Sequence, residues 1–168
     1  RDGLESWLKG MENCTVYEGH ARFESAHEIS IGAEKITADK IYINVGARAF
    51  VPPMPGLDEI DYFTNTTMLD VDFVPGHLII VGGSYIGLEF GQMFRRFGSE
   101  VTIIEMGERL IGREDTDISD AIKEILEKEG IKIRLNAKCI SFSKEGGEIL
   151  AHVDCEEDEP VVRGGTHV

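Results

Sequence analysis

The chain has 168 residues, 42% hydrophobic and 29% charged, which suits one full domain, or one domain plus a piece of another, around a sizeable core. Lys and Arg total 17 against 31 Asp and Glu, a net charge of −14. That balance argues against a nucleic-acid backbone or an anionic membrane as partner, but it allows one phosphorylated small ligand held by backbone N–H groups.

No apolar run approaches membrane-spanning length, and the first residues do not resemble a signal peptide. With no initiator Met, the chain is expected to begin inside a longer protein. Three cysteines, Cys14, Cys139 and Cys155, show no C-x-x-C spacing. Their sparseness fits a reducing compartment, hence a cytoplasmic location. The five histidines show no metal-ligand spacing, and no metal is assigned.

In chain order, residues 4–9 read as the tail of a helix, and residues 15–45 as short strands and turns. Lys40 to Val45 alternates with the period of a strand and Gly46 ends it. Pro52, Pro53 and Pro55 then forbid a helix or a central strand. This divides the chain into residues 1–50, a linker with a short helix at 51–76, and a domain at 77–168. Asn65-Thr66-Thr67 before Met68-Leu69 predicts a capped helical turn. His77 to Val81 is β-branched and apolar, as in a strand buried on both faces of a parallel sheet.

Ile86, Phe90, Met93, Phe94 and Phe97 then form one apolar helix face, with Arg95 and Arg96 in the last turn and Gly98 as cap. Val101 to Ile104 is a second buried strand. Asp115 or Thr116 caps a second helix whose core face is Ile118, Ile122, Ile125 and Leu126, and Gly130 stops it. Ile131, Ile133 and Leu135 alternate as a third strand. Residues 78–135 therefore read β-α-β-α-β, an α/β fold with a parallel sheet and right-handed crossovers. From Ala137 to Val162 the pattern becomes an antiparallel meander around Gly146-Gly147. The acidic stretch from Asp154 to Pro160 reads as a solvated loop.

The chemistry lies at the first strand–helix turn. Gly82-Gly83-Ser84-Tyr85-Ile86-Gly87 matches G-x-G-x-x-G except that Ser84 replaces the second glycine. Gly82 permits the tight turn, and Gly87 lets the helix lie close on the strand. The helix N-terminus then offers free N–H groups and a positive dipole to a diphosphate, and the Ser84 hydroxyl can donate to a phosphate oxygen. The plain alternative is a turn with no ligand. The strand before it, the helix after it and the acid at the next strand end favour a dinucleotide.

That acid is Glu105, placed to accept hydrogen bonds from ribose hydroxyls, which favours NAD over NADP; Met106 beside it is included in the site. Arg109 and Arg113 could instead accommodate the extra phosphate of NADP, or form salt bridges with Glu108, Glu114 or Asp115. Tyr85 and Glu89, at i and i+4, share a side of the helix. They line a ligand crevice, or are a half-buried Tyr and a surface Glu.

The run Ile79 to Gly91, its continuation Phe97 to Glu105 and the stretch Arg109 to Asp115 resemble the NAD(P) domain of class I pyridine nucleotide-disulfide oxidoreductases, which include dihydrolipoamide dehydrogenase, glutathione reductase and mercuric reductase. Ser84 is similar to the mercuric reductase variation. Ile41 to Arg48 with Pro53-Met54-Pro55-Gly56 resembles the exit from the family's FAD domain, and Gly19 to Phe23 a hairpin that touches the flavin's adenosine.

The resemblance implies a Rossmann-like NAD(P)-binding domain at 77–168, cut before its last strand and preceded by the C-terminal piece of an FAD domain. It implies that NADH or NADPH passes a hydride to FAD and on to a redox cysteine pair. Tyr85 is then the gate between nicotinamide and flavin, Glu89 the acid near the nicotinamide, and Cys139 a residue beside the adenine. His20, Ala21, Val45, Gly46 and Ala47 would touch FAD. The family's FAD fingerprint, C-x4-C pair and C-terminal dimerisation domain are missing. The expectation is a nucleotide-binding fragment of a homodimeric enzyme, inactive alone. The alternatives are a non-catalytic dinucleotide-binding module and a flavin-free NAD-dependent dehydrogenase.

Overall fold

The structure, a computed structural model, describes residues 2–153 and 161–168. The acidic run and Cys155 lie outside the described residues. The chain divides into two compact units, the first ending at Ala47 and the second running from Arg48 to Val168.

In the first unit, helix α1 (Asp2–Lys9) precedes three strands, β1 (Ala21–Ser25), β2 (Glu28–Ile31) and β3 (Glu34–Thr37). They form an antiparallel sheet in the order β1-β2-β3. The strand expected at residues 40–45 is absent, and residues 40–50 have no regular structure. Alternation marks residues able to line a pleat, but a strand needs a neighbour for its N–H and C=O groups. Here none pairs with it, and Tyr42 and Val45 are 86% and 87% exposed.

The second unit opens on the segment read as a linker, which is instead part of its core. Leu57 and Ile60 are buried at a short 3₁₀ turn, Leu57–Glu59, and Met68 at another, Thr67–Asp70. The second turn has no side-chain cap from Thr66. Thr67 itself holds the entry, its hydroxyl accepting the Thr64 N–H at 2.8 Å.

Strands β4 (His77–Val81), β5 (Glu100–Ile104) and β6 (Lys132–Arg134) form the parallel sheet in that order, with helices α2 (Tyr85–Phe97) and α3 (Thr116–Lys128) between them. Leu78 lies opposite Val101, and Ile103 opposite Ile133. Strands β7 (Ser141–Glu145), β8 (Glu148–His152) and β9 (Val161–Gly165) form an antiparallel sheet.

Period-2 alternation distributes the parallel strands between two cores. Leu78, Val101 and Ile103 pack with Leu88 and Phe94 of α2 and Leu126 of α3. Ile79 and Ile104 pack with Phe142, Ile149 and Ala151 of the antiparallel sheet. The parallel sheet is thus buried on both faces, as its β-branched runs require. Along β4 the backbone groups alternate between edges. Gly82 N–H, just beyond it, reaches Ile104 O at 2.8 Å, whereas Ile79 N–H reaches His167 O at 2.9 Å. The last residues of the chain therefore lie along the edge of β4 opposite β5, with a parallel bridge between Leu78 and His167.

The helix faces differ from the periodicity. In α2 the buried residues are Leu88, Gly91 and Phe94, while Met93 and Phe97 are exposed. In α3 they are Ser119 and Leu126, while Ile118 and Ile125 are exposed. In α2 the glycines decide this: a Cβ would stand 2.4 Å from Gly82 O at Gly87 and 3.2 Å from Ile80 Cδ1 at Gly91, so this side lies against β4 and Phe97 is left at the rim.

Candidate dinucleotide site

The loop between β4 and α2 is shaped by two glycines. Gly82 has φ +109°, which L side chains rarely adopt. A Cβ on Gly87 would stand 2.4 Å from Gly82 O and 3.1 Å from Ile80 Cγ2, so only glycine lets the first turn of α2 lie this close to β4. Ser84 is the N-cap residue, extended at φ −83° and ψ 166°, and its side chain makes no capping bond. Leu88 N–H is the first to bond back, to Ser84 O at 3.1 Å. The amides of Tyr85, Ile86 and Gly87 precede it and have no partner within the helix. They form the positive end of the α2 dipole.

Glu105 follows β5 and is half-buried. Its Oε2 accepts the Gly83 N–H at 2.6 Å and its Oε1 accepts the Gly107 N–H at 2.6 Å. Its backbone is fixed as well, with N–H to Arg134 O at 2.8 Å and C=O accepting Ala137 N–H at 3.1 Å. The acid therefore points into the turn. Each carboxylate oxygen has more than one lone pair, so both can still accept a ribose hydroxyl.

The remaining expected residues are placed as follows. Tyr85 is 63% exposed at the start of α2, and Glu89, one turn later, is exposed too. Neither is held in a crevice within the second unit. Met106 and Arg113 are exposed on the loop between β5 and α3. Arg109 makes no ion pair among the described residues. Its Nη1 donates to Thr116 Oγ1 at 2.6 Å and its Nη2 to Gly112 O at 3.1 Å. Cys139 is half-buried and disulfide-bonded.

A cavity of about 440 Å³ runs along the edge of β4, with Phe50, Met68, Phe90 and Val168 among its mostly apolar walls. It touches the turn at Gly82 and Ser84 but does not include Glu105. Ile86 and Gly87, at the start of α2, line it as well.

The residues expected to touch FAD all lie in the first unit. His20, Ala21, Val45, Gly46 and Ala47 are all exposed. The depression of about 510 Å³ in the first unit is lined by Phe23, His27, Lys40 and Tyr42 among others, and contains none of the five. No group of described residues could hold a metal ion, and no described helix is long and apolar enough to cross a membrane.

Sequence reasoning missed that the loop after Glu105 returns to the turn, with Ile111 N–H donating to Gly83 O at 2.8 Å. Gly107, a small residue placed two after the acid, marked where the chain turns back to it. The backbone conformation of Ile111 left no mark.

A family model described as pyridine nucleotide-disulphide oxidoreductase matches residues 3–162. The probable pyridine nucleotide-disulfide oxidoreductase RclA of Escherichia coli (strain K12) is 40% identical over 150 residues, covering 86% of this chain and 34% of that protein. A mercuric reductase of Bacillus cereus is 35% identical over 147 residues, covering 88% of this chain and 23% of that protein. Among solved structures, the HOCl-induced flavoprotein disulfide reductase RclA from Escherichia coli aligns with a TM-score of 0.78 at 36% identity, over 97% of this chain and 37% of that one. The chain thus spans about a third or less of the length of these relatives.

Proposed function

The chain belongs to the pyridine nucleotide-disulfide oxidoreductase family, and from that premise we propose that residues 77–168 are its NAD(P)H-binding part. The diphosphate sits at the first turn of α2, on the amides of Tyr85 to Gly87, with the Ser84 hydroxyl beside it. Glu105 accepts the ribose hydroxyls, which favours NADH over NADPH because the carboxylate repels a 2′-phosphate. Tyr85 and Glu89 lie toward the nicotinamide. Cys139, half-buried after β6, lies beside the adenine in this reading.

In the whole protein, NADH supplies a hydride that passes through a bound flavin to a cysteine pair. Family membership and the similarity to flavoprotein disulfide reductases support this reading. This chain contributes the binding and orientation of the nucleotide. His20, Ala21, Val45, Gly46 and Ala47 would contribute contacts to the flavin.

The observation that carries the reading is the 2.6 Å contact from Gly83 N–H to Glu105 Oε2. It places an acid from the second strand directly at the turn after the first. Calorimetric titration of the purified chain with NADH and NADPH tests it. Saturable binding with NADH the tighter ligand is expected. A folded sample that binds neither would remove the assignment.

A further inference from the structure

We infer that Ile111 is a positioning residue for the dinucleotide turn: its left-handed backbone delivers an N–H to the carbonyl of Gly83 and locks the peptide from which the phosphate-binding amides start. The inference rests on the reading of residues 82–105 as a dinucleotide site.

Ile111 has φ +39°. For a β-branched residue this is a costly conformation, kept only where the surroundings impose it. Its N–H donates to Gly83 O at 2.8 Å. The Gly83 N–H is already taken by Glu105 at 2.6 Å. Both polar groups of Gly83 are therefore spent on the loop between β5 and α3, and Gly83 has no hydrogen left for a phosphate. Its role is to fix where Ser84, Tyr85 and Ile86 begin.

The contact is also tight. A Cβ on Gly83 would meet Leu110 Cδ2 at 2.6 Å and Glu105 Oε2 at 3.1 Å. The brace is itself anchored. Leu110 is 1% exposed, and its carbonyl accepts the buried Ser119 hydroxyl of α3 at 2.8 Å. Ile111 O accepts Glu114 N–H at 2.8 Å. Arg109 ties the loop to Thr116 at the start of α3. Thus α3, which does not touch the nucleotide in this reading, sets the place of the turn through Leu110 and Ile111. The strained residue sits where the brace meets the turn, and an unstrained φ there would aim the N–H elsewhere.

The test compares I111P with I111G in the purified chain. Proline has no N–H and cannot adopt φ +39°, whereas glycine keeps the N–H and adopts it freely. I111P is expected to weaken NADH binding about tenfold or more, and I111G to recover most of that loss. Amide hydrogen exchange provides a readout that general destabilisation would not single out. In I111P, exchange at Gly83 should quicken about tenfold or more, while Leu126 in the core keeps its rate.

If I111P does not fold, G83A serves in its place. Its methyl would press on Leu110, weakening NADH about tenfold, and L110A in the same chain should restore binding. Equal weakening by I111P and I111G, uniform quickening across all amides, or no rescue of G83A by L110A would overturn the inference. If the parent chain binds no nucleotide, the proposed function fails, and exchange at Gly83 still decides whether Ile111 holds the turn.

Discussion

Glu105 and Gly83 are joined at 2.6 Å, carboxylate to amide, across the gap between two parallel strands. The bond links the residue that would recognise a sugar to the turn that would hold a diphosphate. The two halves of the site are therefore not independent, and changes at either are felt at the other.

Replacing Glu105 by alanine removes the ribose acceptor and frees the Gly83 amide. Losing a hydrogen bond to a charged group costs roughly 1.5–3 kcal/mol. NADH affinity should fall about tenfold or more, and NADPH should lose less, because the repulsion of its phosphate goes with the acid. Parallel titrations of both nucleotides with E105A check this. An unchanged NADH to NADPH ratio would show that selectivity lies elsewhere on the loop.

Gly87 has no room for a side chain, since a Cβ would stand 2.4 Å from Gly82 O. The obstacle is backbone, which cannot rotate away. G87A should lose about 1–3 kcal/mol of stability, the usual cost of overpacking, and should lose nucleotide binding because the turn itself must move. Denaturant unfolding and titration of the same sample give both values. Full stability with G87A would mean that α2 lies further from β4.

His167 stacks on Phe63 at 5.6 Å and meets Phe73 at 4.9 Å. Burial holds its imidazole below the usual range, and the opposing attraction of Asp61 is the smaller influence. The folded state therefore binds the proton less readily than the unfolded state, whose histidine titrates near pH ~6.5. Stability is fully present above that pH and falls as pH drops through the window below it. H167F should flatten this acid-side slope in thermal melts taken from pH 7.5 to 5. An unchanged slope would assign it to other groups.

Phe94 and Phe97, two of the aromatic residues of α2, separate what the sequence disclosed from what it did not. Alternating apolar strands, the glycine turn and the acid after β5 were all legible, because each depends on local chemistry. The face of α2 was not, because Phe94 and Phe97 fit one stripe equally well. Only the close approach at Gly87 and Gly91 places Phe94 at 4% exposure and Phe97 at 60%. The strand expected at residues 40–45 failed for a related reason: its pattern was right, but pairing depends on a neighbour that no local pattern encodes. The brace at Ile111 was likewise invisible, since left-handed conformation in a β-branched residue is imposed by its surroundings.

F94A should accordingly cost about 3–5 kcal/mol, as for a buried aromatic. F97A should cost about 1 kcal/mol, mainly its edge contact with Phe94. Chemical denaturation of the two variants orders them, and equal losses would contradict the helix face described above.

The most direct measurement is a crystal structure of this chain with NADH. The account predicts diphosphate oxygens within hydrogen-bond distance of the Tyr85 and Ile86 amides, and adenosine ribose hydroxyls on Glu105. A dinucleotide bound away from the start of α2, or with its ribose turned from Glu105, would contradict it.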